Sequence, residues 1–193
     1  MGLLSSGNKG DPLKERRNDC YETPPEATRA LLLCEELPHK IWEPACGPGA
    51  IVRVLRSAGH SVIATDLVDY SCPESDARID FLMEHEPRDV GAIVTNPPFK
   101  NSADFVRKGL ELCSRVIILQ RLAFLEGEKR NDIMDRHLLR VHVFRNRLPM
   151  MNRYGWTGPT LDKTMAAYAW FVFDREVNCP TVIDRISWNG EAK

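Results

Sequence analysis

Short apolar runs alternate with amphipathic stretches along most of the chain. Compact runs of β-branched and aromatic residues that stop at glycine or proline predict buried strands, whereas apolar residues spaced three or four apart predict helices. Stripes of the second kind predict helices over residues 50–58 and 102–113. The predicted strands are residues 40–46, 61–66, a short segment before Asp80, 91–95, 116–119, 141–144 and 167–173.

This alternation predicts an α/β fold, a Rossmann-like and mostly parallel seven-stranded sheet with helices on both faces. A chain of 193 residues and 21.9 kDa suits one domain, which we place at residues 20–193, behind a flexible tail of residues 1–19. Ligands on such sheets bind beyond the carboxyl ends of the strands, near the point where the strand order reverses. The residues that follow the predicted strands are therefore the candidates for chemistry.

The composition narrows the class of protein. With 43% hydrophobic and 27% charged residues, the chain is typical of a globular domain, and no apolar run approaches the length of a membrane span. Residues 1–19 lack the apolar core of a signal peptide. The six cysteines form no C-x-x-C pair and have no matching histidine spacing, so we expect no metal site, reduced thiols and a cytoplasmic location.

The net charge of −1 conceals an uneven distribution of charge. Residues 1–114 carry 13 basic and 18 acidic side chains, whereas residues 115–163 carry 10 basic and 5 acidic ones. A cationic stretch late in the chain could bind a polyanion, although a solvated helix face would have a similar composition.

Two features after the first two strands suit a nucleotide-like ligand. Residues 43–49 read EPACGPG, and two glycines let the backbone pass close to a ligand. Asp66 ends the second strand 19 positions after Gly47, a spacing that suits hydrogen bonds to ribose hydroxyls, and Leu67 can press on a flat ring. A tight turn without a ligand, or Asp66 as a turn cap, remains the alternative. Val52 stands where a dinucleotide fingerprint would have its third glycine, which argues against that motif.

The strongest motif follows the buried strand 91–95. Asn96 is followed by Pro97, Pro98 and Phe99, and the two prolines remove N–H donors while leaving carbonyl acceptors. Such a pocket can accept both hydrogens of a planar amino group while an aromatic ring stacks on its base. A rigid turn that merely ends the strand is the alternative interpretation.

These motifs resemble those of class I S-adenosylmethionine-dependent methyltransferases, in the amino-group branch marked by Asn/Asp/Ser-Pro-Pro-aromatic. Residues 43–49 resemble the cofactor loop, Asp66 the ribose-binding acid, and Asp80-Phe81 the motif that reads the cofactor adenine. Residues 21–24 resemble a Tyr-x-Thr-Pro segment that touches the methionine part of the cofactor. The resemblance implies S-adenosyl-L-methionine as cofactor, bound by Tyr21, Thr23, Glu43, Ala45, Gly47, Gly49, Asp66, Leu67, Asp80 and Phe81.

The motif order is similar to that of small phage-type adenine-N6 DNA methyltransferases, and the resemblance spans roughly residues 20–175. It implies that Asn96, Pro97, Pro98 and Phe99 are catalytic, and that a flipped or single-stranded base is the substrate. Larger relatives carry a separate target-recognition domain, whereas here only segments near 126–136 and 145–163 are free for substrate contact. The candidates for phosphate contacts are Lys129, Arg130, Arg145, Arg147 and Arg153.

Other functions remain open. The same motif serves enzymes that act on RNA bases or on protein glutamine, although the glutamine branch favours tyrosine where this chain has Phe99. A methyltransferase-like binding module without turnover is a further alternative, and a nicotinamide oxidoreductase fits less well because it leaves the Pro-Pro motif unexplained. We expect a nucleic-acid partner, DNA rather than RNA, and no membrane association; no pattern indicates an oligomeric state.

Overall fold

The computed structural model of the chain describes residues 21–148 and 166–189. The predicted tail 1–19, Arg153 and most of the segment 145–163 lie outside the described residues. The helices are α1 (Pro25–Leu32), α2 (Ala50–Ser57), α3 (Ser102–Leu112) and α4 (Asn131–His137). The strands are β1 (Lys40–Glu43), β2 (Ser61–Asp66), β3 (Ala77–Arg78), β4 (Ala92–Thr95), β5 (Arg115–Arg121), β6 (Leu138–Phe144), β7 (Tyr168–Asp174) and β8 (Val182–Ile186).

These strands form one eight-stranded sheet in the order β3-β2-β1-β4-β5-β7-β6-β8. Strand β7 runs antiparallel to β5 and β6, and the remaining pairs are parallel. The predicted α/β class and mostly parallel sheet are therefore confirmed, whereas the predicted count of seven strands is wrong. The additional strand, β8, was missed because it is an edge strand in which Val182 and Ile183 are exposed and Ile186 is buried, so the alternation typical of a strand is weak.

Helices cover both faces of the sheet, as expected. Apolar residues of α1 and α2, such as Leu31 and Leu55, pack on one face, and those of α3 and α4, such as Val106 and Ile133, pack on the other. Alternate strand residues divide between the two cores; in β7, Trp170 and Val172 join the first core and Phe171 and Phe173 the second. Within the described part of the chain, we find no helix with the length and apolarity needed to cross a membrane.

A buried ionic cluster attaches the segment after α1 to β6. Glu35 is 5% exposed and bonds Arg140 through both carboxylate oxygens, with 3.1 Å between Oε2 and Nη2. His142 Nε2 lies 2.8 Å from Glu35 Oε1, and Arg140 and His142 share a face of β6. Burial raises the pKa of Glu35, but hydrogen bonds from His142 and Arg140 outweigh burial and lower that pKa from its usual 4.5 to about 2.

We predict that this cluster makes the fold sensitive to acid. Because the pKa of Glu35 is lower in the folded chain than in the unfolded one, its contribution to the free energy of unfolding is complete above pH 4.5 and is lost as the pH falls towards 2. The loss should reach about 3 kcal/mol, since one pKa unit corresponds to about 1.4 kcal/mol. Denaturant unfolding of Glu35→Gln and of wild type between pH 6 and pH 2 measures this component.

The exposed neighbour Glu36 provides the matched control, because Glu36→Gln removes the same charge from the surface. The profile of Glu36→Gln should follow that of wild type, whereas the profile of Glu35→Gln should be flatter. Parallel profiles for wild type and Glu35→Gln would contradict the assignment.

Candidate active site

The candidate site lies where three neighbouring parallel strands end. Strand β1 pairs with β2 on one side and β4 on the other, and the strand order reverses at this point. Glu43, Asp66 and Thr95 end the three strands, so the loops that follow them meet at one edge of the sheet. Between these loops lies a cleft of about 280 Å³, near the lower end of the range of roughly 300–1,000 Å³ for small-molecule sites.

Most of the predicted cofactor-binding residues line this cleft. Glu43 and Gly49 are the two that do not; both are buried behind the turn. Asn96 and Pro98 also face the cleft, so it connects the glycine turn with the predicted catalytic motif. The predicted residues that line it are Tyr21, Thr23, Ala45, Gly47, Asp66, Leu67, Asp80, Phe81, Asn96 and Pro98.

The glycine turn is joined to the end of β2 by a hydrogen bond. The N–H of Gly47 donates to Asp66 Oδ2 at 2.8 Å, and Gly47 has a φ of 50°. Gly49 has a φ of 86°, and a Cβ atom there would lie 2.8 Å from Cys72 Sγ. Gly49 therefore serves the turn and its packing, whereas Gly47 is the glycine that borders the cleft.

Asp66 has a structural role beside the predicted one. Its Oδ1 accepts the N–H of Val68 at 2.9 Å, which is the turn-capping contact considered as the alternative. Each carboxylate oxygen has two lone pairs, so Asp66 can still accept hydroxyl groups from the cleft. Next to it, Leu67 is 57% exposed and gives the cleft an apolar wall.

Asp80 and Phe81 differ in their surroundings. Asp80 is exposed and accepts the N–H of Leu82 at 3.1 Å, so it caps the short turn of residues 81–83. Phe81 is buried against Trp42 and Phe105, with ring centroids 5.1 Å and 4.9 Å away. The Phe81 ring thus belongs to the core and reaches the cleft from below.

The predicted catalytic motif is oriented by the chain segment before α1. Asn96 Nδ2 donates to Thr23 Oγ1 at 3.0 Å and to the Tyr21 carbonyl at 3.4 Å. These contacts direct the donor end of the amide towards the N-terminal segment and the acceptor end away from it. Tyr21 and Thr23 also line the cleft. The same segment therefore borders the predicted cofactor site and aligns Asn96, a predicted catalytic residue.

Phe99 lies in an aromatic and cationic cluster. Its ring stacks on Tyr21 with centroids 5.7 Å apart and planes at 14°, and the Tyr168 ring is 6.3 Å away at 45°. The guanidinium carbon of Arg121 lies 4.8 Å from the Phe99 centroid. Pro97 is buried below this cluster.

The predicted phosphate-contact residues are distributed unevenly. Arg145 and Arg147 are exposed just beyond the carboxyl end of β6, and Lys129 is exposed in the segment before α4. Arg130 instead donates to the Phe124 carbonyl at 3.0 Å and lies over the Phe124 ring, so its first role is structural. Part of the predicted cationic character is also neutralised, because Arg115 and Arg140 pair with Asp174 and Glu35, acids outside the stretch 115–163.

Several residues at this edge were not predicted from their sequence patterns. Arg121 and Tyr168 surround Phe99, and Ser102 and Gln120 form a buried hydrogen-bonded pair next to the catalytic motif. A polar glutamine within the apolar strand VIILQ was the one available signal. The cleft-lining residues that were not predicted include Tyr70, Ile79, Leu82, Lys100, Asn101 and Phe105.

Burial raises the pKa of both carboxylates at the strand ends, Glu43 and Asp66. Burial raises the pKa of Glu43 from 4.5 to about 8; the Ala45 N–H, which donates to Glu43 Oε1 at 3.0 Å, offsets burial in part, and the charge of Asp66 adds to the rise. Burial also raises the pKa of Asp66, against hydrogen bonds from the N–H groups of Val68, Gly47 and Leu67.

Among the described residues, no group of three or more His, Cys, Asp and Glu side chains could hold a metal ion.

The residues of the cleft fit a nucleoside-bearing ligand. Asp66 offers a carboxylate for a ribose diol, and Leu67, Ile79 and the Phe81 ring provide apolar surface for a base. Gly47, which donates its N–H to Asp66, also borders the cleft, and the backbone can approach a ligand closely there.

Solved structures with the same fold include a class I S-adenosylmethionine-dependent methyltransferase and other methyltransferases. A candidate RNA methyltransferase from Pyrococcus horikoshii superimposes with a TM-score of 0.61 at 14% identity, over 86% of this chain and 92% of that one. A candidate class I enzyme from Listeria monocytogenes gives 0.57 at 13% identity, over 92% and 68%. The methyltransferase subunit of a type I restriction-modification system from Streptococcus thermophilus gives 0.58 at 12% identity, over 86% of this chain and 48% of that subunit.

At these identities the likeness establishes the fold, which is that of the class I methyltransferases. No protein-family model matches the sequence, and no curated protein matches it significantly. The chain spans about half of the length of the Streptococcus subunit.

We predict that Glu43→Gln makes the fold less sensitive to pH. The folded chain keeps the Glu43 proton up to a pH of about 8, whereas the unfolded chain releases it near 4.5, so this residue's contribution to stability falls as the pH rises between these values. Glutamine resembles the neutral acid and does not titrate. The difference in unfolding free energy between variant and wild type should therefore shift in favour of the variant by roughly 4–5 kcal/mol across this window.

Thermal or denaturant unfolding at pH 5, 6.5 and 8 measures the difference. Glu36→Gln, at an exposed position, is the surface control here as well and should show little of this pH dependence. A constant difference between Glu43→Gln and wild type over the three pH values would mean that Glu43 is ionised in the fold.

Proposed function

We propose that this chain is an S-adenosylmethionine-dependent N-methyltransferase that acts on an exocyclic amino group, adenine N6 in DNA. The observation that carries the proposal is the position of Asn96 on the cleft wall, with its amide aligned by Thr23 and the Tyr21 carbonyl. An amide held in this way offers its acceptor end to a donor group, and a planar amino group is such a donor.

The cofactor would occupy the cleft between the glycine turn and the ends of β2 and β4. Asp66 would accept the ribose hydroxyls, Leu67 and Phe81 would enclose the adenine, and Tyr21 and Thr23 would border the methionine part. When bound, S-adenosylmethionine supplies an electrophilic methyl group on a sulfonium. The motif similarity, the fold shared with class I enzymes and the cleft lining support this assignment together.

The loop 96–99 would hold the amino group through two acceptors. The Pro98 carbonyl already accepts the Asn101 N–H at 2.9 Å and lies 3.2 Å from the Ser102 hydroxyl, so the Pro97 carbonyl is the better second acceptor beside Asn96. Binding both amino hydrogens draws the nitrogen lone pair out of conjugation and towards the methyl group. With the methyl group supplied by the bound cofactor, the loop would hold the amino nitrogen in line for transfer, and the methylated nitrogen would release its proton to water.

Phe99 would hold the base by stacking, and positioning would supply most of the rate acceleration. The target base must be unpaired, either flipped out of a duplex or presented in a single strand. Arg145 and Arg147, exposed beyond β6, and Lys129 would contact phosphates, with Arg130 and Arg153 as further candidates.

We predict that Asn96→Ala abolishes most of the methyl transfer and leaves cofactor binding nearly intact. Loss of one directed hydrogen-bonding group in a dry site typically costs about 2.7–4 kcal/mol of barrier, roughly a 100- to 1,000-fold loss in kcat. Calorimetric titration with S-adenosylhomocysteine and single-turnover transfer assays separate the two effects. Asn178→Ala, at an exposed position between β7 and β8, is the control and should behave as wild type. If Asn96→Ala keeps more than about a tenth of the activity, Asn96 lacks the assigned role.

We further expect labelled methyl groups to appear in DNA adenine. Radiolabelled cofactor would be incubated with genomic DNA, RNA and a cell-protein extract in parallel, followed by separation of nucleosides and amino acids. We expect the labelled sites to share a short or relaxed sequence. Label in RNA alone would retain the chemistry and change the substrate, and label in protein alone would reject the nucleic-acid assignment.

A further inference from the structure

Arg121, the positive charge next to the predicted catalytic loop, has a different setting from three other arginines of this half of the chain. Arg107, Arg115 and Arg140 each bind a carboxylate. Arg121 is exposed, lies over the Phe99 ring and has no carboxylate partner among residues 21–148 and 166–189. The arginine nearest to the proposed target base is therefore left without a counter-charge by the part of the chain that the structure describes.

The position of Arg121 is built into the fold. Its backbone N–H donates to the Gln120 side-chain carbonyl at 2.7 Å, and Gln120 Nε2 donates to the Ser102 hydroxyl. Ser102 Oγ in turn lies 3.2 Å from the Pro98 carbonyl and 3.3 Å from the Phe99 carbonyl. Gln120 and Ser102 are only 3% and 1% exposed, so this buried chain of hydrogen bonds ties the end of β5 to the catalytic loop.

An unneutralised guanidinium at this place affects which substrates can bind. A second positive charge near the site makes the binding of a cationic methyl donor less favourable, unless the substrate brings a negative charge. The planar fork of a guanidinium matches the oxygens of a phosphate, and contact with an aromatic face holds the group in place. A neutral amide substrate has no negative charge that could pair with Arg121.

We propose that Arg121 binds a backbone phosphate next to the nucleotide that the loop 96–99 holds, and that it makes the site select nucleic acid over a protein amide. This inference rests on the proposed function and deepens it by naming the substrate class and a residue that selects it. DNA and RNA share the phosphodiester, so the chemistry is common to both and the experiment must distinguish them.

The test combines a charge variant with neutral phosphates. Single-stranded DNA and RNA oligonucleotides of one sequence would be prepared with each phosphate in turn replaced by an uncharged methylphosphonate. Their binding to wild type, Arg121→Gln and Arg121→Lys would be measured by fluorescence anisotropy with S-adenosylhomocysteine present. Arg29→Gln removes a charge from the exposed face of α1 and is the matched control.

We expect Arg121→Gln to weaken binding of the unmodified oligonucleotide about tenfold or more, as for loss of one charge-assisted contact. In wild type, neutralising one or two phosphates beside the methylated adenine should cause a similar loss, and in Arg121→Gln no further loss. The log–log dependence of affinity on salt should become shallower by about 0.7 in Arg121→Gln, the value for one phosphate of a single strand, and remain unchanged in Arg121→Lys and Arg29→Gln. The nucleic acid in which the effect is larger identifies the source of the phosphate.

Wild-type affinity and salt dependence in Arg121→Gln would overturn the inference. Equal losses in Arg121→Gln and Arg121→Lys with an unchanged salt dependence would also overturn it, because the residue would then act through packing on Phe99. If wild type binds no cofactor or transfers methyl groups only to protein, the proposed function itself fails. If wild type methylates nucleic acid and Arg121→Gln behaves as wild type, only the role of Arg121 fails.

Discussion

The parallel pairing of β1 with both β2 and β4 is the constraint on which the site depends. It brings the carboxyl ends of three strands to one edge of the sheet, although the loops that follow them are far apart in sequence. The hydrogen bond from Gly47 to Asp66 spans 19 residues and joins two of these loops. Neither the glycine turn nor the loop 96–99 could form a cleft alone, because each provides only one wall of it.

The segment before α1 closes this arrangement from outside the sheet. Thr23 is separated from Asn96 by 73 residues, yet its hydroxyl accepts the Asn96 amide and its side chain also borders the cleft. The Tyr21 ring stacks on the Phe99 ring, and Tyr21 also borders the cleft. The segment before α1 therefore both lines the predicted cofactor site and aligns Asn96, the predicted catalytic residue. A change in this segment would affect both.

The sequence carried enough information for the sheet and for most of the cleft, because local patterns determine them. Strand β2 and the Asn-Pro-Pro-Phe loop follow directly from apolar runs and their terminators. Long-range contacts leave no such pattern. The bond between Thr23 and Asn96, the burial of Gly49 against Cys72 and the position of Arg121 over Phe99 each depend on the assembled sheet. The basic composition of residues 115–163 could not reveal that Arg115 and Arg140 pair with acids elsewhere in the chain.

The unequal burial of Glu43 and Asp66 also shapes the charge of the cleft. Two ionised carboxylates at adjacent strand ends would repel each other, and burial resolves the conflict by favouring the neutral form of Glu43, whose pKa lies at about 8. Asp66 has the greater access to solvent and keeps its hydrogen bonds to backbone N–H groups. Glu43 itself does not line the cleft, so Asp66 is the carboxylate of this pair that a ligand in the cleft would meet. On the far side of Asn96, Arg121 provides charge of the opposite sign over Phe99. The two sides of the predicted site therefore differ in charge, with the Asp66 carboxylate at the cleft and the Arg121 guanidinium over the Phe99 ring.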